Sequence, residues 1–192
     1  FNYVVHAAGA TKCTKRDDFF RINTQGTQHF VNALLALNMP IERFVFISSL
    51  SVYGAIHEQL PYKDIDETDI PRPNTAYGES KLKAEKVLAN TVYNGKTLPY
   101  VILRPTGVYG PREKDYFLMA KSIKGHIDFS VGFQRQDITF IYVKDLVQAV
   151  FLAIDKAEIG RAYFLTDGEV YQSSTFSNLI RAELGNPWWI RI

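Results

Sequence analysis

The chain has 192 residues, of which 46% are hydrophobic and 14% aromatic, enough for one sizeable core and a small second lobe. Its 22 basic and 20 acidic residues nearly cancel, so we expect a small-molecule partner and no nucleic acid. The single Cys13 excludes an internal disulfide framework, and no apolar run reaches the roughly 20 residues that cross a bilayer. We therefore expect a cytoplasmic protein with no membrane partner.

Strand and helix patterns alternate along the chain. Apolar runs predict buried strands, because a central parallel strand is apolar on both faces, and apolar residues at helical spacing predict the helices between them. The predicted strands are 2–8, 43–48, 100–104, 127–131, 138–142, 162–165 and a last one within 188–192. The predicted helices are 17–38, 75–90, 114–124, 144–155 and 175–184.

This alternation predicts an α/β protein with a Rossmann-like doubly wound parallel sheet. We expect residues 1–125 to form the sheet domain, and residues 126–192 to combine a small C-terminal substrate lobe with returning sheet elements. Both ends of the chain fall in apolar runs, so we expect both to be cuts through a larger protein. Ligands bind at the carboxyl ends of such strands, which directs attention to residues 6–12, 48–54 and 104–112.

Tyr77 and Lys81 lie four residues apart in a predicted helix, so their side chains share one face. A tyrosine titrates near 10 in water, and an adjacent ammonium lowers its pKa towards the range useful for proton transfer. Spacing alone favours the plainer interpretation, a partly exposed tyrosine stacked on a lysine stem. The position of the pair beside two strand ends favours the functional one.

Small and hydroxyl side chains stand at those strand ends. A hydroxyl of Ser48 or Ser49 is placed to bond a reacting oxygen, or else satisfies backbone groups in a turn. Residues 7–10 are small, which lets a pyrophosphate-bearing ligand approach the backbone, or else permits tight packing of strand on helix.

Six sequence blocks, in this order, resemble the extended short-chain dehydrogenase/reductase superfamily, and within it the NAD-dependent epimerase/dehydratase family. They cover nearly the whole chain, and the ordered set is far more specific than any single block. The blocks are VVHAAGA at 4–10, Asn23 in NTQGT, FISSLSVYG at 46–54, YGESK at 77–81, LRPTGVYGPR at 103–112 and FIYVKDLVQAV at 140–150.

The resemblance implies a catalytic set for hydride transfer at a secondary alcohol or ketone, in an epimerase or a dehydrogenase/reductase. Tyr77 would be the general acid/base, Lys81 would lower its pKa and hold the nicotinamide ribose, and Ser49 would orient the substrate oxygen. The implied cofactor is NAD or NADP. Its implied contacts, besides Tyr77 and Lys81, are Ala7, Ala8, Gly9, Asn23, Ile47, Ser48, Pro105, Gly107 and Val108.

Several family features have no counterpart in these residues. The resemblance implies that the N-terminal strands of the sheet, the Gly-rich turn and the residue that selects NAD or NADP are expected before Phe1. The choice of cofactor is therefore open, and this piece alone is expected to be inactive. Leu50-Ser51 stand where the dehydratases carry Asp-Glu, which disfavours dehydration. Gly107 stands where sugar-nucleotide 4-epimerases carry Asn, which leaves a nucleotide-sugar substrate open but unsupported.

Three further expectations concern assembly, metals and an alternative function. The resemblance implies a homodimer through helices 19–38 and 76–90. The acidic loop Glu58 to Asp69 has irregular spacing, so we expect a solvated loop and no metal site. A non-catalytic relative that senses dinucleotides and regulates a partner is the alternative function, although such proteins usually lose the tyrosine or the lysine.

Overall fold

A computed structural model describes residues 1–56, 63–128, 137–185 and 187–191. The strands are β1 Tyr3–His6, β2 Arg43–Ile47, β3 Val92–Tyr93, β4 Lys96–Thr97, β5 Tyr100–Pro105, β6 Gly107–Tyr109, β7 Ile127–Asp128, β8 Asp137–Ile138, β9 Phe140–Tyr142, β10 Ala162–Leu165, β11 Tyr171–Gln172 and β12 Ile190–Arg191. The helices are α1 Arg16–Phe19, α2 Gly26–Ala36, α3 Ala76–Asn90, α4 Asp115–Lys124, α5 Val143–Asp155 and α6 Ser173–Glu183. A π-helical turn at Phe20–Gln25 joins α1 to α2, and a 3-10 turn spans Leu50–Val52.

The first of two compact units comprises Phe1–Thr106 and Val147–Leu165. Its sheet has four parallel strands in the order β1-β2-β5-β10. The central strands are apolar on both faces, as Phe44, Val45 and Phe46 show by being fully buried. The predicted parallel α/β sheet is therefore confirmed.

Helices cover both faces of this sheet. On one face Phe44 and Phe46 pack with Val31 of α2 and Leu88 of α3. On the other face Val45, Val101 and Leu103 pack with Ala153 of α5. Each fully buried side chain of this size contributes roughly 1.5–3 kcal/mol, so the two apolar layers hold α2, α3 and α5 against the strands and thereby fix where each strand ends.

The second unit comprises Gly107–Leu146 and Thr166–Ile192. Its strands form three pairs: β6 with β9 and β7 with β12 are parallel, and β8 with β11 is antiparallel. Aromatic rings fill its interior, where Phe140 stacks on Phe176 and meets Tyr116 edge to face. The sequence put a boundary at residue 125, whereas the structure groups residues 107–125 with the second unit and 147–165 with the first.

Some predicted elements differ from the observed ones. The predicted helix 17–38 is interrupted by the π-helical turn, and the predicted strand 138–142 is two short strands. Of the predicted strand 127–131, β7 covers two residues and the remaining three lie outside the described residues. The β3-β4 hairpin was not predicted, although Asn94-Gly95, both with positive φ, is the turn pair that such hairpins favour.

Candidate active site

The start of α3 determines where Tyr77 lies. Thr75 Oγ1 accepts a hydrogen bond from Gly78 N at 3.0 Å, so α3 begins at Ala76 and Tyr77 falls in its first turn. A Cβ at Gly78 would overlap the Ser51 carbonyl oxygen, so only glycine lets this turn of α3 lie against the 3-10 turn after β2. This close approach brings Tyr77 to Ser49.

The Ser49 hydroxyl caps the 3-10 turn and acts on the Tyr77 phenol. Its Oγ accepts a hydrogen bond from Ser51 N and donates one to Ser51 Oγ, both at 3.1 Å. Burial raises the pKa of Tyr77, and the nearby hydroxyl of Ser49 opposes that rise. The sequence attributed the lowering of this pKa to Lys81; in the structure the opposing contribution comes from Ser49, and the phenol keeps its proton at neutral pH.

Lys81 lies one turn further along α3 and is 5% exposed. Its Nζ donates to the Ile47 carbonyl oxygen at 2.6 Å and lies 4.3 Å from the centroid of the Phe46 ring. Burial lowers the pKa of Lys81 to about 8, and the nearby charge of Glu85 opposes this change. The ammonium is therefore mostly charged at pH 7, and the last residue of β2 fixes its position.

Asn23 of the π-helical turn holds the small-residue turn after β1. Its Oδ1 accepts from Ala10 N at 2.7 Å, and its Nδ2 donates to Ala10 O at 3.0 Å and to Ser80 Oγ at 2.9 Å. A Cβ at Gly9 would lie 3.1 Å from Asn23 Oδ1 and 3.7 Å from Lys81 Nζ. The turn after β1 is thus bound to α3 and lies beside the lysine.

These residues fit the ribose end of a dinucleotide. Ala7, Ala8 and Gly9 are exposed, and a ligand can approach their backbone closely because none has a side chain larger than a methyl group. Next to this backbone stands an ammonium with three N–H donors, one of which is given to Ile47. An open backbone surface beside a buried cation suits a ligand rich in hydroxyl and phosphate oxygens.

The other predicted cofactor contacts make other interactions within their own units. The Ser48 hydroxyl donates to the Glu85 carboxylate, and the Ile47 side chain packs into the apolar layer under α5. Pro105 is buried at the end of β5, opposite Leu165 of β10. Gly107 and Val108 belong to β6 of the second unit, where they pair with Phe140 and Ile141.

Two charged residues of the site region were missed by the sequence interpretation. Glu85 and Arg104 form an ion pair at 2.6 Å with side chains only 5% and 12% exposed. Two signals in the sequence point to them: Glu85 follows Lys81 at the spacing that shares a helix face, and Arg104 stands in an otherwise apolar strand, where a charge requires a partner.

His6, at the end of β1, is also part of this region. The hydroxyl of Thr27 donates its one proton to Asn23 O at 2.7 Å, so it must accept the bond that links it to His6 Nε2 at 2.9 Å. Burial, and secondarily the charge of Lys81, lowers the pKa of His6 to about 4. His6 is therefore a neutral imidazole that packs among Phe30, Phe44 and Phe46 and carries its proton on Nε2.

The family of the chain follows from comparison with known proteins. The model of the NAD dependent epimerase/dehydratase family matches residues 1–165. The chain belongs to this family. A curated relative is the 3 beta-hydroxysteroid dehydrogenase/Delta 5-->4-isomerase of Mycobacterium tuberculosis, 29% identical over 187 residues, which covers 90% of this chain and 48% of the relative. The chain spans about half the length of the curated relatives that it matches.

Solved structures of nicotinamide-dependent proteins share the fold of this epimerase/dehydratase-family chain. MoeE5 in complex with UDP-glucose and NAD is 26% identical, with a TM-score of 0.83 over 100% of this chain and 66% of that one. RMD from Pseudomonas aeruginosa complexed with NADPH is 25% identical, with a TM-score of 0.85 over 100% and 69%. The Rossmann-like fold is thereby confirmed, as is NAD or NADP as the cofactor of the family.

The described parts of the chain contain no helix with the length and apolar character needed to cross a bilayer. Within the same residues, no group of three or more His, Cys, Asp or Glu side chains is arranged to hold a metal ion. Of the predicted acidic loop, residues 58–62 lie outside the described ranges. In the remainder, Asp66 pairs with Lys63 and accepts from Thr68 N at 2.8 Å.

Proposed function

We propose that the protein transfers hydride at a secondary alcohol or ketone as an NAD(P)-dependent dehydrogenase/reductase or epimerase, with Tyr77 as its general acid and base. The observation that carries this proposal is the close packing of the first turn of α3, which carries Tyr77, against the 3-10 turn that Ser49 caps. This packing brings a proton-bearing phenol and a second hydroxyl together beside the carboxyl end of β2, where Lys81 Nζ donates to Ile47 O at 2.6 Å. Two hydroxyls at one point can hold a substrate oxygen while its proton is transferred.

Three side chains each have one task in the proposed reaction. Ser49 hydrogen-bonds the substrate oxygen and orients it. Tyr77 accepts the proton of that oxygen during oxidation and returns it during reduction. Lys81 hydrogen-bonds a ribose hydroxyl. An oxidised nicotinamide, when bound, supplies the hydride acceptor and a positive charge that favours the tyrosinate.

The substrate class is proposed from the relatives. MoeE5 is complexed with UDP-glucose, and the mycobacterial relative is a steroid dehydrogenase and isomerase. We propose that the substrate is a secondary alcohol of one of these two kinds, a nucleotide sugar or a steroid. Dehydration is not proposed, because Leu50 and Ser51 follow Ser49 and neither carries a carboxyl group for removing water.

The test uses the whole protein and begins with cofactor binding. Fluorescence titration with NADH and with NADPH should show saturable binding of at least one of them. A panel of UDP-sugars and 3-hydroxysteroids with NAD or NADP should then identify a substrate by formation of the reduced cofactor or of an isomeric product. Absence of binding of both reduced cofactors would exclude the proposed function.

Tyr77→Phe separates an enzyme from a dinucleotide-sensing relative. The substitution removes the transferable proton and keeps the ring, so turnover should fall by about 10²–10⁴-fold while NADH affinity changes little. Tyr93→Phe is the matched control, since the Tyr93 hydroxyl donates to Met39 O at 2.6 Å and has no part in the proposed reaction. A Tyr77→Phe protein with undiminished turnover would contradict the role given to Tyr77.

Reduced cofactor distinguishes the two reaction types. A dehydrogenase accumulates one NADH or NADPH per product, whereas an epimerase returns the hydride in each cycle. Absorbance at 340 nm together with chromatography of the substrate measures both. Steady accumulation of the reduced cofactor without an isomeric product would assign the dehydrogenase reaction.

We also propose that the whole protein is a homodimer joined through α2 and α3. The support is the family resemblance together with the position of these helices, which lie side by side on one face of the sheet and expose Gln28, Asn32, Lys83 and Lys86 along the groove between them. Light scattering coupled to size-exclusion chromatography should give twice the chain mass, and replacing Asn32 by a bulky Arg should shift it towards the monomer. A monomeric wild type would contradict the proposal.

A further inference from the structure

The buried ion pair of Glu85 and Arg104 joins three elements of the first unit. Glu85, on α3, accepts from Arg104 Nε at 3.1 Å and from Arg104 Nη2 at 2.6 Å, a two-point pairing with β5. Arg104 Nη1 donates to the hydroxyl of the buried Tyr53 at 2.7 Å. Every branch of the guanidinium is thus occupied, and the carboxylate is held at a fixed place.

The same carboxylate holds the end of β2. The Ser48 hydroxyl donates to Glu85, and Ser48 N donates to Leu103 O at 2.7 Å. Ser48 directly precedes Ser49, whose hydroxyl contacts Tyr77. A displacement of the Glu85 carboxylate would therefore move the turn that carries Ser49.

Glu85 also acts on Lys81, one helical turn away on the same face of α3. Among the titratable groups around this ammonium, His6 of β1 is neutral at pH 7 and Tyr77 of α3 is protonated. Arg104 of β5 is paired with Glu85 itself. Glu85 is the group whose charge favours the charged form of Lys81 against the effect of burial.

Stability alone is a weak reason for such a pair, because well-packed apolar residues of similar volume often stabilise a buried site as much or more. We propose that Glu85 is a positioning residue of the dinucleotide site, whose carboxylate, anchored by Arg104, keeps Lys81 charged and holds the Ser48-Ser49 turn in place. The proposal rests on the proposed function, because it assumes that Lys81 binds the nicotinamide ribose.

The test measures NADH affinity as a function of pH on the whole protein. Wild-type affinity should decline as pH rises through about 8, where Lys81 loses its proton. The double variant Glu85→Gln with Arg104→Met removes both charges, so no unpaired ion stays buried, and Gln still accepts from Ser48. Its decline in NADH affinity should begin about one pH unit lower than in the wild type, because the ammonium has lost its favourable neighbour.

Two further variants distinguish an effect of the Glu85 charge on NADH affinity from an effect of altered packing. Glu79 lies on the same helix and forms partly exposed ion pairs with Arg16 and Lys83. Glu79→Gln should leave unchanged the pH at which NADH affinity declines. Arg104→Lys keeps both charges and gives up the two-point pairing, so its decline should stay at the wild-type pH even if it unfolds at lower urea concentration than the wild type. Because a shift of the decline in Arg104→Lys would overturn the role of Glu85, that role can be refuted even if the double variant does not fold.

The outcomes discriminate between this proposal and the proposed function. Wild-type protein that binds neither NADH nor NADPH overturns both. Wild-type binding with the same pH profile in the double variant overturns the role of Glu85 and leaves the proposed function standing. A shift of the decline in Arg104→Lys as large as in the double variant also overturns it, since the charge of Glu85 is intact there.

Discussion

At the scale of single residues, the Ser49 hydroxyl belongs both to its own turn and to the site. It accepts from Ser51 N and donates to Ser51 Oγ within the turn, and it contacts the phenol of Tyr77 on α3. The contact with Tyr77 opposes the rise in pKa that burial causes. Without Ser49, that phenol would have a still higher pKa and would be a poorer base near neutral pH.

We therefore expect Ser49→Ala to lower turnover by about 10²-fold or more and to move the acidic limb of the kcat profile to higher pH. The measurement is the pH dependence of kcat on the substrate found in the panel of nucleotide sugars and steroids. Ser51→Ala is the matched control, because it removes a hydroxyl of the same turn whose partner is Ser49. An unchanged pH profile in Ser49→Ala would count against this role.

The side chain of Asn23 stabilises the site region through several hydrogen bonds at once. Three hydrogen bonds of one buried amide join the turn after β1 to α3. Asn23→Ala should lower the free energy of unfolding by about 1–3 kcal/mol, because backbone groups of Ala10 lose their buried partner. Urea unfolding and NADH titration together measure it, and Asn178→Ala at an exposed position of α6 serves as the control. Loss of stability without loss of NADH affinity would show that the turn does not form part of the cofactor site.

At the scale of elements, the approach of α3 to the 3-10 turn depends on the absence of a side chain at residue 78. Gly78→Ala should destabilise the protein by about 1–3 kcal/mol and lower turnover as well, since the added methyl overlaps the Ser51 carbonyl and pushes Tyr77 from Ser49. Urea unfolding and activity provide the two measurements.

Gly26→Ala is the matched control for that substitution. Gly26 is also helical, but a Cβ there would lie 3.7 Å from its nearest neighbour, an ordinary contact. Alanine is the better helix former by up to about 1 kcal/mol, so Gly26→Ala should be neutral or stabilising. Equal effects of the two substitutions would refute the explanation by close approach.

The sequence predicted the elements well where periodicity carried the information. The strands at 43–47 and 100–105 and the helix at 76–90 occur within two residues of their predicted bounds. The two strands are continuous apolar runs, and the helix has apolar residues at helical spacing. The π-helical turn was not predicted, since it depends on tertiary contacts: Asn23 must reach Ala10 and Ser80, which are distant in sequence. For the same reason the pairing of Glu85 with Arg104 became visible only when α3 and β5 were placed side by side.

At the scale of the whole molecule, the buried His6 links folding to pH. Its pKa is about 4 in the folded protein against 6.5 in the ordinary state, so between these values the unfolded chain binds a proton that the folded one does not. Stability therefore rises with pH through this window and is lost as pH falls from 6.5 towards 4. The contribution of His6 is up to about 3 kcal/mol.

Urea unfolding between pH 7 and pH 4 tests this linkage. The wild type should lose stability steeply below pH 6.5, and His6→Gln, whose amide can still reach Thr27, should lose less over the same range. His29→Gln, at an exposed position on α2, should follow the wild type. Parallel curves for wild type and His6→Gln would show that another group causes the acid dependence.

A backbone oxygen, and not a side chain, holds Lys81 at the end of β2, and this affects how substitutions at the two positions should be tolerated. The acceptor is the carbonyl of Ile47, which every amino acid supplies, so substitutions of Ile47 by Val or Leu keep the contact intact. A saturation scan should therefore find residue 81 intolerant and residue 47 permissive among apolar side chains, although the two are bonded. Substitutions at residue 47 do not reveal this contact, because the acceptor is a backbone carbonyl oxygen and not a side chain.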